Sequence, residues 1–193
     1  MKGKSMPHLR AALLFLLFAM GCAGTSHNVY RDPNMDFGSL QAVAVLPFTN
    51  LTREQMAADR VRDVFMTMLQ ATGGVYVIPP GEVARGISRL NLERPATPTA
   101  EEIVKVAKIL NADAVIAGTV SEYGEVRSGT TSANVISVSL QMMEAQTGRG
   151  VWTASSTKGG VTTTDRLFGG GGEPMNLVTQ KAVTDLLDKL FGK

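Results

Sequence analysis

Side chains able to do nucleophilic, acid–base or metal chemistry are scarce in this sequence of 193 residues. It holds one cysteine, Cys22, and two histidines, His8 and His27. A hydrolytic triad or a histidine-based metal site needs an imidazole held in place by a folded domain. His8 falls in an N-terminal leader and His27 in a polar segment that follows it, so neither kind of site is expected.

Carboxylate chemistry is a remaining option at Glu122 and Glu125, which flank Tyr123. The two acids follow an apolar segment that predicts a buried strand, where site residues often lie. A pair of carboxylates can act as general acid and general base. A solvated strand end produces the same pattern, so we assign no catalytic residue and keep a carboxylate-dependent enzyme as an alternative.

A glycine run, residues 169–172, precedes the last predicted helix. Amides at a helix start can bind an anion. No lysine follows at the spacing of a phosphate-binding loop, and residues 162–165 before it do not have the pattern of a strand. We interpret the run as a flexible linker, and the sequence predicts neither a cofactor nor a metal.

The first 21 residues have the pattern of a signal peptide. Lys2, Lys4 and Arg10 form a basic start, and residues 11–20 are an apolar run. A membrane-spanning helix needs about 20 such residues, so a permanent span is the less favoured alternative. Three of the 19 basic residues lie in this leader, which leaves 16 against 17 acidic residues. This balance argues against nucleic-acid binding, which needs a clustered basic face.

The segment from Phe18 to Cys22 resembles the lipobox of bacterial lipoproteins, with small Ala19 and Gly21 before the cysteine. The resemblance implies cleavage before Cys22, a diacylglyceryl thioether on its sulfur and an acylated amine. Ala23 follows instead of aspartate, which by the habit of that family implies the outer membrane, with the domain facing the periplasm. Ordinary signal-peptidase cleavage that leaves a free Cys22 thiol is the alternative.

The remaining sequence predicts a polar tether and one α/β domain. Residues 22–39 contain Gly24, Asp32-Pro33 and Gly38 as breakers, so we predict a flexible tether that the domain, residues 40–193, does not need for folding. Apolar periodicity in the domain predicts the order β-α-β-α-α-β-β-β-α and a mixed sheet with helices packed on it. The predicted strands are residues 41–47, 75–78, 114–120, 136–142 and 150–153. The first two predicted helices are residues 54–71 and a short helix that begins at Pro80. A third follows a capping box of Thr99 and Glu102, and the last runs from Pro174 to residue 190.

Two further features of the domain allow more than one interpretation. Gly124, Gly129 and the polar residues between them are typical of a mobile loop. Trp152 is either an interface anchor or a core residue of its strand, and the second is favoured.

Three segments carry a resemblance to a known superfamily: residues 42–48, 107–123 and 140–152. Together they resemble the envelope lipoproteins that include the curli-secretion protein CsgG, the penicillin-binding-protein activator LpoB and the N-terminal domains of TolB-like proteins. The marks of the resemblance are the corner Asn111-Ala-Asp113 and the turn Thr147-Gly148, which are folding motifs and support the fold more than any activity. The resemblance implies an α/β domain that works through protein partners in the envelope.

The sequence therefore favours a non-enzymatic lipoprotein that binds, assembles or regulates an envelope protein and that could self-associate. A subunit of an oligomeric secretion channel is the alternative. Channel strands need about 9 to 11 residues with an apolar side facing lipid. Residues 136–142 offer such a side, but residues 150–158 do not, so we expect the hairpin to lie in the sheet of the domain, with Ile136, Val138, Leu140 and Met142 against helices.

Replacing the predicted lipidated residue tests the anchor. We expect Cys22→Ser to leave the protein without lipid and to loosen it from the membrane fraction, because the sequence after Cys22 has no apolar run long enough to replace the lipid. Membrane fractionation with a high-salt wash measures this. A variant that stays bound like the wild type would contradict the assignment.

Overall fold

The structure, a computed structural model, describes residues 29–161 and 172–192. Within them, seven strands form one mixed sheet, and four helices pack on it, which confirms the predicted single α/β domain. The strands are β1 Val29–Arg31, β2 Ala42–Val45, β3 Thr49–Asn50, β4 Tyr76–Val77, β5 Ala114–Ser128, β6 Thr131–Glu144 and β7 Gly150–Gly159. The helices are α1 Ala57–Ala71, α2 Pro80–Leu90, α3 Ala100–Leu110 and α4 Met175–Phe191.

The sheet has a parallel part and an antiparallel part. Its strand order is β1-β7-β6-β5-β2-β4, with β3 paired to β5 outside this path. β2 runs parallel to β4 and β5, whereas β5, β6, β7 and β1 are antiparallel neighbours. Helical crossovers join the parallel strands and tight turns join β5 to β6 and β6 to β7, as the two kinds of pairing require.

Helices cover the two faces of the sheet unequally. One face packs its apolar side chains against α1 and α4 along most of its width, and there the four alternating β6 residues are buried as predicted: Ile136, Val138, Leu140 and Met142. On the other face, α2 and α3 cover β2 and the first part of β5 through a smaller apolar cluster that includes Leu46, Val83 and Ile103. No helix of the described residues covers the remainder of this second face.

The capping box at the start of α3 is confirmed. The Thr99 amide donates to Glu102 Oε2 at 2.7 Å, and the Glu102 amide donates to Thr99 Oγ1 at 3.3 Å. These two bonds satisfy amides that have no partner inside the helix. The helix therefore begins at Ala100, as its sequence predicts.

The predicted tether is wrong for residues 29–39. Val29–Arg31 pair with Ala154–Trp152 of β7, and the buried carboxylate of Asp32 accepts from Arg149 at 3.1 Å and from the Asn34 amide at 2.9 Å. Three residues are too few to show strand periodicity, and their partners lie more than 100 residues later in the chain. Residues 1–28, including the predicted leader, His27 and Cys22, lie outside the described residues.

The predicted mobile loop at 124–129 is also wrong. β5 continues to Ser128 and β6 begins at Thr131, with an irregular register between Val120 and Glu122. Backbone pairing satisfies every second amide and carbonyl of such a hairpin without an apolar side chain, so its polar sequence gave no strand signal.

The two family marks lie at contacts between elements. Asp113 Oδ2 accepts from the amides of Gln41 and Ala42 at 2.8 and 2.9 Å, and the Asp113 carbonyl accepts from the Ala145 amide at 3.1 Å. These bonds join the starts of β2 and β5 to the end of β6. Gly148, at φ +67°, brings the β6–β7 turn so close to α3 that an added Cβ would lie 2.3 Å from the Ala100 carbonyl oxygen.

Gly129 and Gly148 both have a positive φ, but only Gly148 also lies against α3. Comparing them distinguishes the effect of that contact from the effect of backbone strain. We expect Gly129→Ala to cost about 1–2 kcal/mol of unfolding free energy, because its φ is +64° and nothing lies within 4 Å. Gly148→Ala adds a clash with the backbone and should cost at least about 3 kcal/mol. Urea unfolding of the two variants measures both values, and equal losses would show that the contact with Ala100 does not matter.

Charged groups attach α4 to β7. Lys189 Nζ donates to Asp185 Oδ2 and to the Ser155 carbonyl, each at 2.7 Å, and Lys158 Nζ lies 3.2 Å from Asp185 Oδ1. Partial burial raises the pKa of Asp185, but the hydrogen bonds from Lys189 and Lys158 outweigh this effect and hold the pKa below that of a free aspartate.

A lowered folded-state pKa makes stability depend on pH. The contribution of Asp185 is present above the unfolded-state pKa of about 4 and is lost as the pH falls through the lower folded-state value. We therefore expect the wild type to lose more stability than Asp185→Asn between about pH 5 and pH 2. Asp188→Asn, at an exposed position on the same helix, is the control, and thermal unfolding across this range measures the difference. Parallel pH profiles for the wild type and Asp185→Asn would contradict the assignment.

Candidate functional site

The carboxyl end of β2, a common place for ligands in α/β proteins, is filled by the chain itself. After β2 the chain continues in the same direction as β3, which pairs with the next part of β5. The side-chain nitrogen Nδ2 of Asn50 donates to the backbone carbonyls of Glu54 and Gln55 at 2.8 and 3.1 Å. Its side-chain oxygen Oδ1 accepts from the backbone amide of Thr52 at 3.0 Å. The polar groups at this end therefore bond the backbone of their own loop.

Arg62 of α1 completes this closure. Its Nη2 and Nε donate to the Val45 carbonyl at 2.6 and 3.2 Å, where β2 ends. Burial lowers the pKa of Arg62, while the nearby charges of Asp63 and Asp59 raise it. An arginine stays charged under such shifts, so the guanidinium fixes the end of the strand.

The structure does not bring the two suspected carboxylates together. Glu122 is paired opposite Ser137 and Glu125 opposite Asn134, and residues three apart in a strand point to opposite faces of the sheet. Both side chains are exposed, and Glu125 lies 3.8 Å from Arg127. The arrangement therefore does not support a general acid and base acting on one substrate. Across residues 29–161 and 172–192, no group of three or more His, Cys, Asp or Glu could hold a metal ion.

The structure also shows the surroundings of two other candidates from the sequence, Trp152 and the end of the glycine run. Trp152 is completely buried in the core, so the interface-anchor alternative is wrong and the favoured core assignment is correct. Of the glycine run, only Gly172 lies within the described residues, and its amide donates to the Ser132 carbonyl at 3.3 Å. The linker interpretation of residues 169–171 stays a prediction.

The part of the sheet that no described helix covers forms a regular array of small polar side chains, which we call the open face. Its rows follow the register across β5, β6 and β7: Ala117, Gln141 and Thr153 in one row, Thr119, Ser139 and Ser155 in the next, and Glu122, Ser137 and Thr157 in the third. Tyr30 of β1, with half of its side chain exposed, extends the first row. Thr157 Oγ1 and Ser137 Oγ bond across the strands at 3.0 Å.

A cleft of about 360 Å³ borders the open face. One wall is the link between α2 and α3 at Ala96, Thr97 and Pro98, and the floor includes Thr119 and Ser139. Glu122 is the one charged residue of the nine in the three rows. The open face is therefore a nearly neutral, hydroxyl-rich surface that could bind a partner through hydrogen bonds and shape.

Sequence reasoning found only part of the open face. The alternation of Ser137, Ser139 and Gln141 with apolar residues was visible, because one side of β6 is apolar and the other polar. The matching residues of β7 were missed, because that strand was predicted to end at Thr153. The period-two pattern of Thr153, Ser155 and Thr157 was the available signal.

Of the helices within the described residues, none combines the length and apolar character needed to cross a membrane.

Several solved structures share this fold. The PelC dodecamer from Paraburkholderia phytofirmans matches with a TM-score of 0.56 and 18% identity, over 83% of this chain and 95% of that one. Lipoprotein GNA1162 from Neisseria meningitidis matches with a TM-score of 0.58 and 17% identity, over 79% and 99%. The hypothetical protein CT253 from Chlamydia trachomatis matches with 0.52 and 14%, over 80% and 97%. Identities this low show a common fold.

The sequence itself places the chain in a family. No curated protein matches it. The family model described as "Putative lipoprotein GNA1162-like" matches residues 36–190, which is nearly the whole of the described domain, and it agrees with the resemblance to envelope lipoproteins stated from the motifs. The chain therefore belongs to the GNA1162-like lipoprotein family.

Proposed function

We propose that this chain is a non-enzymatic lipoprotein of the bacterial cell envelope that binds an envelope protein through the open face. It is anchored by lipid on Cys22 in the outer membrane, and its domain faces the periplasm. The observation that carries the binding function is the hydroxyl-rich array of β5, β6 and β7, which no described helix covers.

The side chains of the open face suit protein binding. Serine and threonine lose little conformational entropy when they are ordered, and their hydroxyls both donate and accept hydrogen bonds. Exposed Tyr30 at the border supplies an aromatic group of the kind enriched at the centres of interfaces. A single carboxylate, Glu122, leaves the surface able to approach a partner without a large cost of desolvating charge.

The separation of Glu122 and Glu125 onto opposite faces supports a non-enzymatic function over the carboxylate-dependent alternative. An acid and a base must reach the same bond. Neither residue lines the 360 Å³ cleft beside the open face.

Self-association is the second candidate, and a specific observation favours it. The PelC structure of the same fold is a dodecamer. An open face that pairs with another copy of this chain would make the protein a ring-forming or channel-associated subunit. The apolar side of β6 is not available to lipid in such an assembly, because Ile136, Val138 and Leu140 are buried beneath α4.

Charge placed on the open face tests both candidates. We expect Ser139→Arg combined with Thr153→Arg to weaken association at least about tenfold, because two bulky guanidinium groups would have to lose their hydration where the wild type presents small neutral hydroxyls. Chemical cross-linking in cells followed by mass spectrometry identifies envelope partners, and light scattering of the purified lipoprotein measures self-association.

Thr184→Arg, at an exposed position of α4 on the opposite side of the sheet, is the matched control. It should change neither readout. Loss of a cross-linked envelope protein only in the double variant supports the binding module, and loss of the oligomer only in that variant supports self-association. An unchanged partner set and unchanged mass in the double variant would sink the proposal that the open face binds.

A further inference from the structure

A second surface feature lies on the helix-covered side of the sheet, where β1 leads into the domain. An apolar cavity of about 230 Å³ opens there between the segment after β1, α1 and the end of α4. Its inner wall is formed by the buried side chains of Val43, Leu69 and Met142. Arg31, which is exposed, and Phe37, which is half-buried, form part of the rim.

The rim carries a positive charge held in a fixed place. The Arg31 guanidinium lies 3.8 Å from the centre of the Phe37 ring, and one of its nitrogens donates to the Leu190 carbonyl. Arg31 makes no ion pair with any described carboxylate. An arginine has five N–H donors in a rigid fork, so most remain for a ligand at the mouth.

The size of the cavity limits the ligand. Apolar cavities of about 150 Å³ bind benzene, and drug-sized ligands occupy about 300–1,000 Å³. A space between these limits accepts one slender alkyl chain and excludes a multi-ring molecule or the several chains of a complete lipid.

We propose that this cavity binds a single acyl chain with an anionic head, the chain lying against Val43, Leu69 and Met142 and the head on Arg31. The position in the chain agrees with a ligand of this kind. Six residues separate Cys22 from Val29, and an extended chain spans at most about 3.6 Å per residue, so β1 begins within about 25 Å of Cys22. This last point rests on the proposed lipid anchor, which would keep the cavity near a bilayer.

Binding is measured on the mature chain carrying Cys22→Ser and exported with an ordinary signal peptide, so that neither detergent nor a lipid anchor is needed. Calorimetric titration with butanoate, hexanoate, octanoate and decanoate should show affinity rising up to about fourfold per added methylene until the cavity is full. Equal affinity for butanoate and decanoate would overturn the proposal. Because this assay contains no membrane, its result is independent of whether the anchor assignment holds.

Two variants separate the roles of the rim and the wall. Arg31→Gln should weaken octanoate binding about tenfold and leave octanol binding unchanged, since only the carboxylate uses the guanidinium. Val75→Trp, at a half-buried residue of the lining, should fill the space and abolish binding of both ligands. Val104→Trp, at a half-buried position of α3 away from the cavity lining, is the control and should bind like the parent. Parent-like binding by Val75→Trp would locate the ligand elsewhere.

Vesicle flotation identifies the source of the acyl chain. The mature Cys22→Ser chain is mixed with phosphatidylglycerol or phosphatidylcholine vesicles. If it floats only with phosphatidylglycerol and Val75→Trp abolishes this flotation, the ligand is an anionic membrane lipid that inserts one chain. Octanoate binding without flotation would assign it to a free fatty acid. Flotation that Val75→Trp does not change, together with no octanoate binding, would refute the cavity as the site.

Discussion

The fold depends on a small set of hydrogen bonds that meet at one aspartate. Asp113 stands at the junction of α3 and β5, and its carboxylate accepts from two consecutive amides at the start of β2. Its own backbone amide donates to the Ala42 carbonyl at 2.8 Å, and its carbonyl accepts from Ala145 beyond β6. The parallel register of β2 and β5 and the end of the β5–β6 hairpin are thus set at one residue. Hydrogen bonds to a charged acceptor contribute more than neutral ones, and a register error would turn buried side chains outwards.

The sheet is covered on both sides near Asp113 and on one side farther away from it. Near Asp113 the sheet is covered on both sides, with Ala44 and Val115 under α2 and α3 and Val43 and Ile116 under α1 and α4. Farther along β5, the described helices cover only the side towards α1 and α4. The antiparallel half can leave one face to solvent because its strands alternate apolar and polar residues, which the nearly continuous apolar run of β2 does not allow. The open face is the consequence of that alternation.

The N-terminal strand links this domain to the proposed anchor. β1 is attached at the sheet edge by its pairing with β7, and the following residues are held by the buried Asp32 and its bond to Arg149. The same segment forms the rim of the apolar cavity through Arg31 and Phe37. A lipid on Cys22 would therefore be connected to the sheet through a short segment, and the cavity and the sheet edge would both lie at the membrane-proximal end.

Much of the core was predictable from the sequence because it depends on local periodicity. The stripe of α1, the capping box of Thr99 and Glu102, and the alternation of β6 each repeat at the spacing of their element. Lipidation at Cys22 is likewise a prediction of the sequence alone. Tertiary structure decided what periodicity cannot encode: β1 pairs with residues more than 100 positions away, β5 and β6 extend through a polar stretch by backbone bonds, and Glu122 and Glu125 point apart. The cavity follows from non-local contacts, since its lining comes from the segment after β1, from β2 and β6 and from the ends of α1 and α4, which meet only in the folded domain. The open face depends on the register of β5, β6 and β7, which aligns their polar residues in rows.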